Sequence, residues 1–443
     1  MESTMTKPRF LSLVIGAALA LLPAVAPVSA DVVLTGSDNV YSDGEIDGTG
    51  GPVVLQTSGD NTGYFDFADP NNDDDEADAI TDGLNLQGNY LERYASGSSD
   101  VANTFRLDLN GGAITGTSGS FIRTRNSPNC STAYLRIINA GSIQVGALRT
   151  QVDGVAKSGG IYVDHSGNFT ATELDVYAPG SSLAFYNNYG VRVHGDGTGS
   201  FTVNSIMANN HMVGYGIDIQ YYTSVTVTAT LTGNCVYKFG SRPDVVISNI
   251  GAGGITVPTT TANNDSMPKD GFDDDNVSDI RFSTTGPITV NGTLYATVAA
   301  TVSSYTEVRG GNITLLAGGD ILVTGTVDGN CAHTVGSSHD GDALLKTTGV
   351  NSTITVGYLN LDRVRYADFD CAGGVSHITG VLSNFTGKND ASLRVPEGQT
   401  IYYDPKLNPS LNGATYQLRN LAGTPDSGGM LQAPPRGTTV VFR

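Results

Sequence analysis

The sequence predicts an all-β chain that folds as a parallel β-helix, a β-solenoid with atypical capping ends. Three observations support this prediction. The 443 residues include 56 Gly and only 15% charged residues, yet 39% are hydrophobic, which is enough to bury a core. Apolar residues alternate with Thr, Ser or charge, which is typical of half-buried strands, and almost no helical periodicity follows residue 30. A short strand–turn–strand unit recurs every 24–32 residues.

The first thirty residues have the three parts of a secretory signal peptide. Lys7 and Arg9 precede the apolar run Leu11 to Val25, and Val28-Ser29-Ala30 supplies the small residues of a cleavage site. The run is shorter than the roughly 20 residues that a membrane span needs. We therefore expect a protein that is secreted or held at the cell surface, with no transmembrane segment in the mature chain.

The formal net charge of the whole sequence is −19, from 24 Lys plus Arg and 43 Asp plus Glu. A surplus of negative charge repels phosphate backbones and anionic lipids. The charge therefore excludes nucleic acid as an expected partner.

The repeated unit is clearest in the middle of the chain. Its first strand reads GIYV at 160–163, GVRV at 190–193 and GIDI at 216–219. Its second strand reads NFTAT at 168–172, SFTV at 200–203 and SVTV at 224–227. One unit cannot bury its own face, whereas stacked units can, and this spacing suits about a dozen coils. A β-sandwich is the alternative, but its strands would recur every 8–12 residues.

This coil pattern resembles the right-handed parallel β-helix superfamily, which includes pectin lyases, polygalacturonases, adhesin stalks and autotransporter passengers. The resemblance covers roughly residues 105–395 and rests on the repeat pattern alone. Residues 31–104 are acidic and predict an N-terminal cap region. Residues 396–443 are rich in Pro, which interrupts ladder hydrogen bonding, and predict a C-terminal cap or tail.

The four cysteines are Cys130, Cys235, Cys331 and Cys371. Coils stack at about 4.8 Å, and a disulfide requires Cα atoms within about 7 Å. Cys331 and Cys371 are one to two coils apart, so we expect a bridge between them. The state of Cys130 and Cys235 is left open.

Two acidic runs predict calcium sites, because Ca²⁺ takes six to eight oxygen ligands. The first run contains Asp69, Asn71, Asp73 and Asp75, and the second contains Asp270, Asp273 and Asp275. The first run lacks the Gly and the final Glu of an EF-hand loop. A solvated acidic loop is the alternative for both runs.

No complete catalytic set is found. Lys269-Asp270-Gly271 is similar to a polygalacturonase segment, but only Asp270 and Gly271 match, and the family's Gly-His-Gly is missing. The fragment Arg242-Pro243 resembles part of a pectate lyase pattern without its second Arg. An enzyme for acidic polysaccharides would need a basic groove beside an Asp. The arginines that could form one are Arg123, Arg125, Arg136 and Arg149.

Several tyrosines lie in or near loops between coils and predict an aromatic strip for sugar rings: Tyr186, Tyr189, Tyr215, Tyr221 and Tyr222. Packing against the core is the equal alternative for these side chains. We therefore expect an exported structural or adhesion protein that binds polysaccharide or cell-surface components. The alternative is a polysaccharide lyase or glycoside hydrolase acting on acidic polysaccharide, and a third is a passenger domain delivered by a partner.

Overall fold

The computed structural model describes residues 83–435, except for 89, 96–101, 127–131, 153–157, 179–187, 211–213, 236–241, 265–277, 299–306, 332–336 and 389. Before residue 83 it describes the backbone of five strands. These are β1 (Val32–Thr35), β2 (Ile46–Gly48), β3 (Val53–Gln56), β4 (Tyr64–Asp66) and β5 (Ala77–Thr81).

The strands continue without an α-helix in the described residues. The next are β6 (Leu84–Gln87), β7 (Tyr90–Ala95), β8 (Ala102–Asp108), β9 (Ile114–Gly116), β10 (Phe121–Asn126), β11 (Thr132–Ala140), β12 (Ile143–Val152), β13 (Ser158–His165), β14 (Phe169–Ala178), β15 (Asn188–His194), β16 (Ser200–Asn210), β17 (Gly214–Cys235) and β18 (Arg242–Asn264).

The C-terminal half contains shorter strands and two 3₁₀ turns, at Leu361–Arg363 and Pro409–Leu411. Its strands are β19 (Ile280–Thr284), β20 (Ile288–Val298), β21 (Glu307–Arg309), β22 (Ile313–Ala317), β23 (Ile321–Asp328), β24 (Ser337–His339), β25 (Asp342–Thr347), β26 (Thr353–Asn360), β27 (Tyr366–Cys371), β28 (Val375–Ile378), β29 (Leu382–Ser383), β30 (Leu393–Arg394), β31 (Thr400–Tyr403), β32 (Tyr416–Gln417) and β33 (Met430–Gln432).

These strands stack in parallel as a β-solenoid of about nine turns, which confirms the predicted fold class. Each turn contributes to three ladders, and each ladder buries a column of side chains. Ladder 1 runs through Leu107, Ile137, Val163, Val193, Ile219, Ile247, Phe282, Leu315, Leu345 and Phe369. Ladder 2 runs through Ile114, Ile143, Phe169, Phe201, Val225, Ile255, Ile288, Ile321 and Ile354. Ladder 3 runs through Leu91, Ile122, Leu148, Leu174, Ile206, Leu231, Thr260, Leu294, Val327 and Leu359.

The three corners of the solenoid are built differently. At the first corner, between ladders 1 and 2, Asn139 and Asn249 adopt the left-handed backbone conformation that Asn tolerates in tight turns. At the second, ladders 2 and 3 often belong to one bent strand, as in β12 and β14. The connections from ladder 3 back to ladder 1 form the third corner. The strand bounds show that these connections differ in length, from three residues between β16 and β17 to 15 residues between β18 and β19.

Side chains of opposite charge pair between successive turns. Arg394 binds Asp368 through two bonds of 2.6 Å, and Lys346 lies 2.7 Å from Asp370. The partners are 24–26 residues apart in sequence but occupy matching or adjacent positions in neighbouring turns. Because each strand has a neighbouring strand above and another below, an outward charged side chain can pair with one of opposite charge in the next turn.

The predicted bridge between Cys331 and Cys371 is not formed, and this prediction is corrected. Cys371 ends β27 on ladder 1, where its Sγ lies 3.2 Å from the carbonyl oxygen of Ser352 and 3.1 Å from that of Val375. Cys331 follows β23 and pairs with Val298, at the end of ladder 3. The two residues are close along the solenoid axis but lie on different ladders. The prediction considered only the distance between these cysteines along the solenoid axis, and it did not consider which ladder each of them belongs to.

Parallel pairing continues across the predicted boundaries at residues 104/105 and 395/396. Strand β8 spans the first boundary and pairs with β5 and β11, while β31 beyond the second pairs with β28 and β33. Among the described strands, the pairing of β32 with β33 is antiparallel and stands at the C-terminal end of the stack. No helix in the described part of the chain is long and apolar enough to cross a membrane.

Close stacking of turns predicts a specific sensitivity at Gly199. A Cβ atom at this position would overlap the backbone carbonyl of Gly167 in the preceding turn. We expect Gly199→Ala to lower the free energy of unfolding by about 2–3 kcal/mol, because the backbone must shift. Urea denaturation measures this change. Gly119→Ala is the control, since the nearest atom there is 3.8 Å away. Equal effects of both substitutions would contradict the stacking argument.

Candidate functional site

The structure separates the predicted aromatic strip into two places. Tyr189 and Tyr215 are register partners at the start of ladder 1, next to the third corner. Tyr221 and Tyr222 lie at the end of ladder 1, at the first corner, about 20 Å further along the strand. The side chains of Tyr189 and Tyr215 and the whole of Tyr186 lie outside the described residues. Of these five tyrosines, Tyr221 and Tyr222 at the first corner are the ones whose side chains the structure describes.

Tyr222 points into the core and is not part of an exposed strip. Its side chain is 1% exposed and its hydroxyl lies 2.7 Å from Nε2 of His165. Burial lowers the pKa of His165, against hydrogen bonds to backbone carbonyls that raise it. Since Nδ1 faces the carbonyl oxygens of Ser166 and Gly141, which only accept, Nδ1 carries the proton and the Tyr222 hydroxyl donates to Nε2. The pair fixes this corner from inside.

Tyr221 points outwards from a strained backbone. Its side chain is 45% exposed and its φ is +62°, a conformation that costs a bulky residue about 1–3 kcal/mol. In the next turn the matching position is Asn249, which adopts the same conformation more readily. The ring meets the imidazole of His194 edge-on at 5.8 Å between centroids. Strain of this kind is concentrated at functional sites, which makes Tyr221 a candidate ligand-contacting residue.

An open cavity of about 540 Å³ lies along the same corner. Three successive turns line it, through Asn110 and Gly111, through Asn139 and Ala140, and through Asp164 to Ser166. The Asp164 side chain is exposed, and His194 occupies the matching position in the next turn, beside Tyr221. Amide and carboxylate groups therefore follow one corner towards an exposed aromatic ring. The cavity lining ends at Ser166, and Tyr221 lies two turns further along the same corner. We call this row of corner residues, from Asn110 to Tyr221, the corner groove.

A polar row on ladder 1 borders the corner groove. Tyr162 lies between two guanidinium groups, that of Arg136 at 5.6 Å and that of Arg192 at 5.1 Å from its ring centroid. In the next turn, Asp218 lies 3.1 Å from Nε2 of His194 and accepts a 2.7 Å hydrogen bond from Gln220. Burial would raise the pKa of Asp218, but these hydrogen bonds and the nearby positive charges outweigh it and lower that pKa. Asp218 therefore stays ionised and holds His194 in place.

The four arginines that an acidic-polysaccharide enzyme would need do not converge. Arg123 and Arg149 are register partners on ladder 3, and Arg125 lies two residues further along the same strand. Arg136 lies on ladder 1 instead. The first two guanidinium groups both stack over the ring of Phe121, at 5.2 and 5.4 Å. The arginines thus divide between two faces of the solenoid.

Carboxylates accompany the two stacked arginines. Arg123 is ion-paired with the buried Glu92, and Arg149 lies 2.6 Å from Glu173. Burial raises the pKa of Asp175 to about 6, helped by repulsion from Glu173 and opposed by Arg149. Asp175 is the register partner of Arg149 in the next turn. The charges of this ladder 3 cluster are therefore mostly compensated by one another.

Both predicted calcium runs fall outside the described residues. Asp69, Asn71, Asp73 and Asp75 connect β4 to β5, and Asp270, Asp273 and Asp275 connect β18 to β19. Both connections lead from ladder 3 to ladder 1, at the third corner. Within the described ranges, no group of three or more His, Cys, Asp or Glu side chains is arranged to hold a metal ion.

Sequence reasoning missed most of the corner groove. Asn110-Gly111 and Asn139-Ala140-Gly141 are turn signals, but no pattern in the sequence shows that they stack above Asp164. The sequence prediction placed Tyr221 and Tyr222 in one exposed strip, whereas the Tyr221 ring points outwards and the Tyr222 ring points into the core.

Comparisons with known proteins leave the family of this chain undefined. No protein-family model matches it, and neither the curated proteins nor the solved structures contain a significant match.

Proposed function

We propose that this chain is an exported structural or adhesion protein of the extracellular space or cell surface, which binds carbohydrate along the corner groove. The single observation that carries the proposal is the exposed, strained Tyr221, which lies on the same corner as an open polar cavity and two turns beyond it. Sugar hydroxyl groups exchange hydrogen bonds with amides and donate them to carboxylates, while an aromatic ring packs against the C–H surfaces of the sugar. The groove offers both kinds of group.

The structural part of the proposal is supported by the compensated charges between turns. Arg394 with Asp368 and Arg149 with Glu173 connect neighbouring turns rather than facing an open cleft. A rod stabilised in this way suits a spacer or scaffold outside the cell. The signal peptide at residues 1–30 supports the location, and the coil pattern supports kinship with the right-handed pectin-lyase-like and adhesin-type β-helices.

A polysaccharide lyase or hydrolase is the second candidate function. The observation that favours it is the raised pKa of Asp175, near 6, beside Arg149. A carboxyl group with such a pKa can exchange protons near neutral pH. Against an enzyme, both neighbouring arginines are engaged by Glu92 and Glu173, so the cluster offers little positive charge to a polyanion.

Calcium binding at the two acidic runs also forms part of the proposal. Both runs belong to connections at the third corner, where Ca²⁺ would relieve the mutual repulsion of the carboxylates. Each binding measurement should therefore be made with and without calcium.

The carbohydrate proposal is tested by binding of a polysaccharide panel to the mature chain. We expect Tyr221→Asn to weaken binding at least tenfold, because the ring that packs on the sugar is lost. The same change should raise the free energy of unfolding by about 1 kcal/mol, because Asn relieves the left-handed strain. Calorimetry and urea denaturation measure the two effects.

The matched control is Tyr177→Asn, which removes a tyrosine of similar exposure, 47%, from ladder 3. This variant should bind as the wild type does. Asp164→Ala provides a second change within the groove and should also weaken binding. Absence of binding to every member of the panel, or equal losses in both tyrosine variants, would overturn the carbohydrate proposal.

The enzyme alternative is tested in the same panel by absorbance at 235 nm, which detects the unsaturated ends that a lyase forms, and by a reducing-end assay, which detects the products of a hydrolase. On our proposal no such product appears. Product that forms with the wild type and disappears in Asp175→Asn would instead establish the alternative.

Asp175 also predicts a pH dependence of stability. Its pKa is raised on folding, so ionisation costs stability above about pH 6, and the cost disappears as the pH falls towards 4. Asp175→Asn should therefore stabilise the protein at pH 8 by about 1–2 kcal/mol, allowing for solvent screening. It should have little effect near pH 4. Urea denaturation at both pH values measures the difference, and an unchanged stability at pH 8 would contradict the assignment.

A further inference from the structure

The outward face of ladder 2 carries a row of threonines over five successive turns, between Gln144 and Leu322. Thr170, Thr202, Thr226, Thr256 and Thr289 are consecutive register partners, so their side chains stand directly above one another. Two residues further along the strands, a second outward row contains Thr172, Asn204, Thr228, Pro258, Asn291 and Thr324, so Pro258 interrupts its polar side chains. The face therefore presents hydroxyl, methyl and amide groups on a lattice of about 4.8 Å by about 6.7 Å.

This face differs from the other two because it carries no charge. The outward positions from Gln144 to Thr355 on ladder 2 contain no Asp, Glu, Lys or Arg. Ladder 1 presents Arg192 and Asp218, and ladder 3 presents Arg149 and Asp175. The whole chain has a net charge of −19, and a surface that serves only solubility would carry charged side chains on all three faces. The strands of ladder 2 carry none on their outward face.

The hydroxyl groups of the first row are available. Thr170, Thr202, Thr226, Thr256 and Thr289 form no side-chain hydrogen bond to any residue in the described part of the chain, whereas corner threonines such as Thr284 bond to backbone carbonyls. β-Branched side chains have few rotamers, so the row is ordered before any ligand arrives. Binding therefore costs little side-chain entropy.

The composition of the face selects its ligand. No aromatic ring occupies an outward position of ladder 2 between Gln144 and Thr355, which disfavours sugars, and the lack of charged side chains there disfavours ions and polyanions. Methyl groups order the adjacent water while hydroxyl groups hydrogen-bond to it, and both repeat with fixed spacing in two directions. These spacings are on the scale of the oxygen repeats in crystalline water.

We infer that the threonine face of ladder 2 binds ice. The ligand is a planar solid of uncharged hydrogen-bonding groups, and the face is a sheet of uncharged hydrogen-bonding groups with neighbouring turns in register. This activity is separate from the carbohydrate binding proposed for the corner groove, because it uses a different face and different side chains.

The test compares two matched double variants of the full mature chain. Thr226→Lys with Thr256→Lys introduces two long charged side chains into the centre of the threonine face. Thr232→Lys with Thr261→Lys makes the same change on ladder 3, in the same strands β17 and β18. Circular dichroism and thermal melting establish that both variants fold as the wild type does.

The measurements are partition of the protein into slowly growing ice and inhibition of ice recrystallisation. The wild type and the ladder 3 variant should be enriched in the ice fraction, and the ladder 2 variant should lose at least fivefold of that enrichment. Exclusion of the wild type from ice, or equal enrichment of both variants, would overturn the inference. So would self-association of the wild type in sedimentation that only the ladder 2 variant loses, since the face would then be an interface between copies.

Discussion

Parallel backbone hydrogen bonding between successive turns is the constraint on which the rest of this structure depends. It places each residue above a residue of the preceding turn, so a side chain has a fixed neighbour regardless of its distance in sequence. The buried columns through Ile288, Ile321 and Ile354 follow from this register. The closeness of Gly199 to Gly167 follows as well, because neighbouring turns approach at the spacing of one strand.

The same register divides the surface into faces with different chemistry. An outward residue meets like residues above and below, so a local preference in one turn becomes a stripe when several turns share it. Arg136, Tyr162 and Arg192 form such a stripe on ladder 1, and the stacked arginines over Phe121 form another on ladder 3. Threonine forms the third. Each stripe forms only when several turns stack in register, because a single turn contributes one residue to it.

The sequence was sufficient to predict the solenoid, because GIYV, GVRV and GIDI repeat at the spacing of one turn and occupy matching places on ladder 1. It did not reveal the third ladder, since ladders 2 and 3 often share one bent strand, as in β14. The repeat pattern also does not show which ladder a residue belongs to or whether its side chain points inwards or outwards. Cys331 and Cys371 are near each other in coil number but lie on different ladders, and Tyr221 and Tyr222 point to opposite sides of the wall.

The orientation of the backbone hydrogen bonds has a mechanical consequence. These bonds run along the solenoid axis, so a force applied between the two ends pulls them in tension rather than in shear. One turn would then separate at a time, starting from an end, and each turn of about 30 residues would release up to about 100 Å of chain. A rod of this construction lengthens in steps under load and dissipates work at every step while the remaining turns stay intact.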